Sequence, residues 1–184
     1  MALSKVDGTN FVDPTLPVAS GGTGITSGFV NGGGLTEADM YRWTTTITNV
    51  SPNPLTGNWE RVDDSSFSKL GTGITETSGI FSFPSTGLYH VAFQAFGTSN
   101  ASGGSLSIYA TINDSTYDEL SVANIGTYGS WYYNIFIQAF VNVTDISNVK
   151  VKFGVDMGTS TKDMYGNTDK TQTGVSFIRL GDSQ

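Results

Sequence analysis

His90 is the sole histidine among 184 residues and cysteine is absent, so chemistry that needs imidazole or thiolate has one residue to draw on. A Ser-His-Asp relay or a histidine metal site would have to be built around it. It lies between Tyr89 and Val91 in an apolar stretch and reads as a hydrogen-bonded histidine within a strand. The carboxylates Asp63, Asp64, Asp114, Asp118, Glu119, Asp156, Asp163 and Asp169 come next, since glycoside hydrolases use carboxylate pairs and Ca²⁺ takes oxygen ligands. They fall in turn-forming stretches or at strand ends, where solvated side chains are the rule. The expectation is no catalytic residue, no metal ligand, no cofactor and no enzyme activity. Asn49, Asn100, Asn113 and Asn142 each open an Asn-x-Ser/Thr triplet, which a chain rich in Ser, Thr and Asn produces by chance.

The scaffold behind these residues is acidic and sparsely charged. The net charge is −7 and the nine basic residues are scattered, which argues against a nucleic-acid partner. No run of ~20 apolar residues exists, so no membrane insertion by a helix is expected. Residues 1–24 lack the basic and apolar regions of a secretory leader, and without cysteine there is no disulfide framework; synthesis in a cytoplasm is the expectation. Charged residues make up 14% of the chain against roughly 25% in an average soluble protein. The 11 Phe, 8 Tyr and 3 Trp suit half-buried pleated surfaces, so the fold class is all-β.

Two regions separate by texture. Residues 1–37 form an extended, irregular arm: its first 35 residues hold eight Gly and two Pro, with apolar residues spaced for neither helix nor strand. Residues 38–184 form a knob of short strands at the spacing of a sandwich or barrel, predicted at 41–47, 59–63, 80–83, 87–96, 105–112, 119–125, 131–141, 149–155 and 174–180. Alternation predicts Leu106, Ile108, Ala110 and Ile112 on a buried face, and likewise Val149, Val151, Phe153 and Val155, with Lys150 and Lys152 outward. In 131–141 the core face reads Trp131, Tyr133, Ile135, Ile137, Ala139 and Val141. Its opposite face carries Tyr132, Asn134, Phe136, Gln138 and Phe140, aromatic and amide side chains without charge. Strand 87–96 repeats this, with Leu88, His90, Ala92, Gln94 and Phe96 opposite Tyr89, Val91, Phe93 and Ala95. Aromatics depleted of charge compose a subunit-interface core. The expectation is an oligomer joined through Tyr132, Phe136, Gln138, Phe140, His90 and Phe96.

The run from Gly79 to Phe93 carries Gly79, Phe81, Pro84, Gly87, Tyr89 and Phe93 at the spacing Gly-x-Phe-x-x-Pro-x-x-Gly-x-Tyr-x-x-x-Phe. It resembles the C1q/tumour-necrosis-factor-like jelly roll, a likeness that extends over roughly residues 38–182. Here Pro84 ends an edge strand and Gly87 permits the turn. The resemblance implies a jelly-roll sandwich that assembles as a compact homotrimer around an aromatic axis. In the arm, Leu16-Pro17-Val18-Ala19-Ser20-Gly21-Gly22-Thr23-Gly24 is similar to the LPVxxGGTG segments of bacteriophage tail and side-fibre proteins. That similarity implies a virion structural protein, with Leu16, Pro17, Val18, Gly21, Gly22 and Gly24 docking on other virion proteins. The readings it leaves open are a short tail fibre, a capsid decoration protein such as a head fibre or cement protein, and, third, a secreted C1q-like lectin. Antiparallel strands alternate direction, so loops 97–104, 126–130 and 157–173 are expected at the end far from the arm, and loops 113–118 and 142–148 beside it. Asn100, Tyr128, Met164, Tyr165 and Asn167 in the far loops are the expected contacts to a host-surface glycan or protein.

Overall fold

A computed structural model of the chain describes residues 34–100, 103–126, 131–158 and 162–184. The expected docking residues Leu16, Pro17, Val18, Gly21, Gly22 and Gly24, and Tyr128, lie outside the described residues.

Period-two alternation produces two packed sheets. In the first, β1 (Ala38–Trp43) lies between β3 (Trp59–Arg61) and β12 (Gly174–Gly181), and β12 pairs with β6 (Gly87–Ser99). Strand β9 (Trp131–Val143) takes the whole opposite edge of β6, from Gly87↔Val143 to Ser99↔Trp131. The short β11 (Lys162–Met164) therefore shares an edge of β6 with β12, and pairs outward with β2 (Ile47–Thr48). The second sheet runs β4 (Thr75–Thr77), β5 (Ile80–Ser82), β10 (Lys150–Asp156), β7 (Ser105–Thr111), β8 (Asp118–Asn124). All pairings among the described residues are antiparallel.

The core lies between the sheets and is aromatic. Phe81 touches Tyr41, Trp59, Phe153 and Phe177 at ring separations of 5.2–5.4 Å, and Phe93 meets Phe153 at 5.2 Å. Phe83 packs on Tyr89 at 4.6 Å, and the Tyr89 hydroxyl bonds both the Ser85 hydroxyl and its carbonyl. The apolar positions of the Gly79–Phe93 motif thus join the two sheets, each fully buried aromatic contributing about 2–3 kcal/mol.

Several expectations are corrected. Strand β5 is internal, paired with both β4 and β10, so Pro84 does not end an edge strand. Predicted strand 41–47 divides into β1 and β2, and loop 157–173 contains β11. Ile112 is exposed because β7 stops at Thr111, where the Asn113 side chain caps a turn by accepting from the Ser115 and Thr116 amides. Trp131 has core-face parity yet is 66% exposed, at the end of β9. Among the described residues no helix is long and apolar enough to cross a membrane.

Candidate subunit-association face

The outer face of the first sheet brings together the six residues expected to join subunits. Alternation in β6 turns Tyr89, Val91, Phe93 and Ala95 inward, all fully buried, and leaves His90, Gln94 and Phe96 on the outside. Register then sets His90 opposite Phe140, Ala92 opposite Gln138, Gln94 opposite Phe136, and Thr98 opposite Tyr132. On the other side of β6, Ile178 lies beside His90 and Ser176 beside Ala92, followed by Ala38 and Met40 of β1. Tyr132 (69%), Phe136 (58%) and Phe140 (64%) are exposed, although two of the three carry no polar atom on the side chain.

Contacts along this face hold the rings in place. Phe96 stacks on Tyr132 with centroids 5.5 Å apart and planes 13° from parallel, and meets Tyr165 edge-on at 5.6 Å. His90 lies 5.6 Å from the Phe140 ring, and its Nε2 is 2.8 Å from Gln138 Oε1. Gln94 donates to the Thr171 carbonyl at 3.3 Å. Charge appears at the β1–β3 margin, where Arg42, 2% exposed, meets Glu60 at 2.9 Å, Asp64 at 3.0 Å and Asp63. An apolar centre with ions at its margin is the layout of a protein interface.

The far-loop residues separate. Gly103 N donates to the Ile125 carbonyl and Ile125 N to the Gly104 carbonyl, which brings the loops after β6 and β8 to one end. Asp114 N donates to the Asn148 carbonyl, and Gln184 N to the Asn142 side chain, at the opposite end. Asn100 is exposed at the far end. Met164 is fully buried in β11, opposite Gly97, and cannot touch a partner: its side chain belongs to the core. Tyr165 is half-buried against Phe96 with its hydroxyl 3.1 Å from Thr98 Oγ1, so it extends the aromatic face. Asn167 spends its side-chain oxygen on the amides of Asp169 and Lys170, which fixes a turn.

Beneath this face, Tyr133 donates its hydroxyl to the Asp163 carbonyl at 2.9 Å. Burial pushes its pKa well above the usual tyrosine value, helped by the Asp163 carboxylate and Tyr165. Asp39, closed to solvent, accepts from the Arg61 guanidinium at 3.1 Å and from Ile74 N at 2.8 Å. Sequence reading overlooked that pair, whose members are 22 residues apart and unremarkable in composition. Among the described residues no group of three acidic or histidine side chains could hold a metal ion.

The two-sheet sandwich is the tumour-necrosis-factor-type jelly roll. The structure is similar to Eiger TNF from S. frugiperda, with a TM-score of 0.63 and 15% identity over 80% of this chain and 94% of that one. It is similar also to murine APRIL in the crystal structure at pH 5.0, with a TM-score of 0.57 and 10% identity over 78% of this chain and 98% of that one. By sequence, the chain matches no protein family and no curated protein.

Proposed function

We propose that this chain is a non-enzymatic structural protein of a bacteriophage particle, a short homotrimeric knob joined through the outer face of the first sheet. The observation that carries the trimer is the uncharged strip of Tyr132, Phe136 and Phe140, exposed on a jelly roll of a type that assembles as trimers. A monomer that leaves three large aromatics in one row exposed to water is an aggregation hazard, and a threefold contact removes it. The virion assignment rests on the likeness of residues 16–24 to segments of phage fibre proteins, together with a cysteine-free chain. On this reading residues 1–37 bind the particle and the end carrying Asn100 faces the host.

A capsid decoration protein is the second reading. Quantitative mass spectrometry of purified particles tests both. A few copies per particle indicate a tail mounting, and hundreds indicate decoration of the capsid. Absence from the particle refutes the virion assignment. Deleting residues 2–34 is expected to leave a folded knob that no longer incorporates.

A further inference from the structure

The second sheet has its own outer face, pointing away from the aromatic strip, and it holds a polar groove of about 250 Å³. The groove is lined by Ser51, Asn53, Ser105, Ser107, Tyr109 and Asp156, with Gly154 at its floor. From its position we infer that this groove binds one uncharged sugar ring. The inference does not depend on the virion assignment.

The groove exists because a sheet is locally replaced by a loop. Strand β5 pairs with β10 only as far as Lys152. Beyond it, residues 51–55 take the vacant edge: Leu55 N donates to the Phe153 carbonyl at 2.8 Å, and Val155 N to the Pro52 carbonyl at 3.0 Å. This sets Asn53 against the outer face of β10. On the other side, register places Ser105 beside Asp156, Ser107 beside Gly154, and Tyr109 beside Lys152. A Cβ on Gly154 would lie 3.0 Å from Tyr109 Cε2 and 3.2 Å from Asn53 Cγ. A glycine in the middle of a strand weakens the strand, and its use marks a place where something must approach the backbone closely. Here the missing side chain is the space between the ring and the amide.

The lining matches the chemistry of a pyranose. Ser107 is 4% exposed, yet among the described residues its hydroxyl has no protein partner, and the Asn53 amide and Ser105 hydroxyl are likewise available to a ligand. Asp156 uses Oδ1 to accept from Ser51 Oγ at 3.1 Å and from Gly158 N at 2.7 Å, which orients the carboxylate and leaves Oδ2 for a ligand hydroxyl. A hydroxyl bound to an oriented carboxylate is among the stronger neutral-donor contacts. Tyr109 is held by the Lys152 ammonium, which lies 5.2 Å from its ring centroid and 4.7 Å from that of Tyr117. A fixed ring offers its electron-rich face to the weakly positive C–H groups of a sugar. Asp156 repels phosphates, sulfates and acidic sugars. The volume falls below the ~300–1,000 Å³ of clefts for drug-sized ligands, which suits a single ring of a longer glycan.

Saturation-transfer NMR on the full-length protein tests this, with glucose, galactose, mannose and N-acetylglucosamine at millimolar concentration and N-acetylneuraminic acid as the anionic probe. At least one neutral sugar is expected to give signal and the anionic one none. Gly154→Val, which fills the floor, is expected to abolish the signal. Tyr109→Ala and Asp156→Asn are each expected to weaken binding about tenfold. Silence from all four neutral sugars overturns the inference. So does wild-type binding by both Gly154→Val and Tyr109→Ala, each checked for an unchanged circular-dichroism spectrum. Sugar binding by a chain absent from phage particles would leave the groove standing and remove only the virion assignment.

Discussion

Gly97 lies directly opposite Tyr133 in the β6–β9 ladder, and the phenol reaches across the glycine to the Asp163 carbonyl at 2.9 Å. A Cβ at Gly97 would collide with that carbonyl and lie 2.6 Å from the Tyr133 hydroxyl. The bare backbone therefore lets β9, β6 and β11 close around one hydrogen bond. Gly97→Ala is expected to cost about 1–3 kcal/mol, as overpacking does. Urea unfolding measures it, and a variant of wild-type stability would show that β11 is free to shift.

Tyr133 also gives the fold a response to alkali. Its raised pKa means that as pH climbs past ~10 the unfolded chain loses this proton while the folded chain keeps it. The unfolded state then binds fewer protons and stability falls by about 1.4 kcal/mol per pH unit from this group alone. Below ~10 its contribution is fully present. Tyr41, Tyr89 and Tyr117 are raised as well, burial first, so the wild-type decline is steeper than one proton. Tyr133→Phe is expected to flatten the slope by about one proton between ~pH 10 and ~pH 11. Equal slopes in the two proteins would refute the assignment.

The long strands were legible because their alternation runs unbroken: β6 and β9 each keep one parity inside for most of their length, and that alone predicted the aromatic face. Parity fails at strand ends. Trp131 and Ile112 carry core-face parity, but both are exposed where the covering ends. Met164 was read as a loop residue because β11 is three residues long and exists only through pairing with Thr48 and Thr98, far away in sequence. The polar β4, Thr-Glu-Thr, carries no apolar signal at all. The groove depends on residues 51–55 meeting β10 about a hundred residues later, and its one mark in the sequence is Gly154 interrupting an alternating strand.

Asp39 ties β1 to β3 and to the chain before β4. Its carboxylate is sealed from solvent, whereas the side chain of Arg61 is 38% exposed. Asp39→Ala strands Ile74 N, but Arg61 can rehydrate. The expected loss is therefore about 1–3 kcal/mol, the cost of an unmet buried donor, below the ~3–5 kcal/mol of a fully buried orphan charge. Asp39→Asn keeps one acceptor and should lose less. Thermal unfolding of the pair decides, and equal losses would mean that the hydrogen bond to Ile74 contributes nothing.

Phe136 offers the sharpest test of association, because its two environments demand opposite outcomes. In an isolated subunit it is a 58% exposed residue opposite Gln94, and an aspartate there changes stability by no more than about 0.5 kcal/mol. In a trimer closed on this face, each copy would bury a carboxylate among Tyr132, Phe140 and Phe96 with no cation near, at several kcal/mol per ion. Light scattering at micromolar concentration is expected to give three times 19.5 kDa for the wild type and 19.5 kDa for Phe136→Asp, with identical circular dichroism. Val122→Asp, a 52% exposed apolar residue on the opposite sheet, is the control and should remain trimeric. A monomeric wild type, or a Phe136→Asp protein that keeps the wild-type mass, would move the contact away from this face.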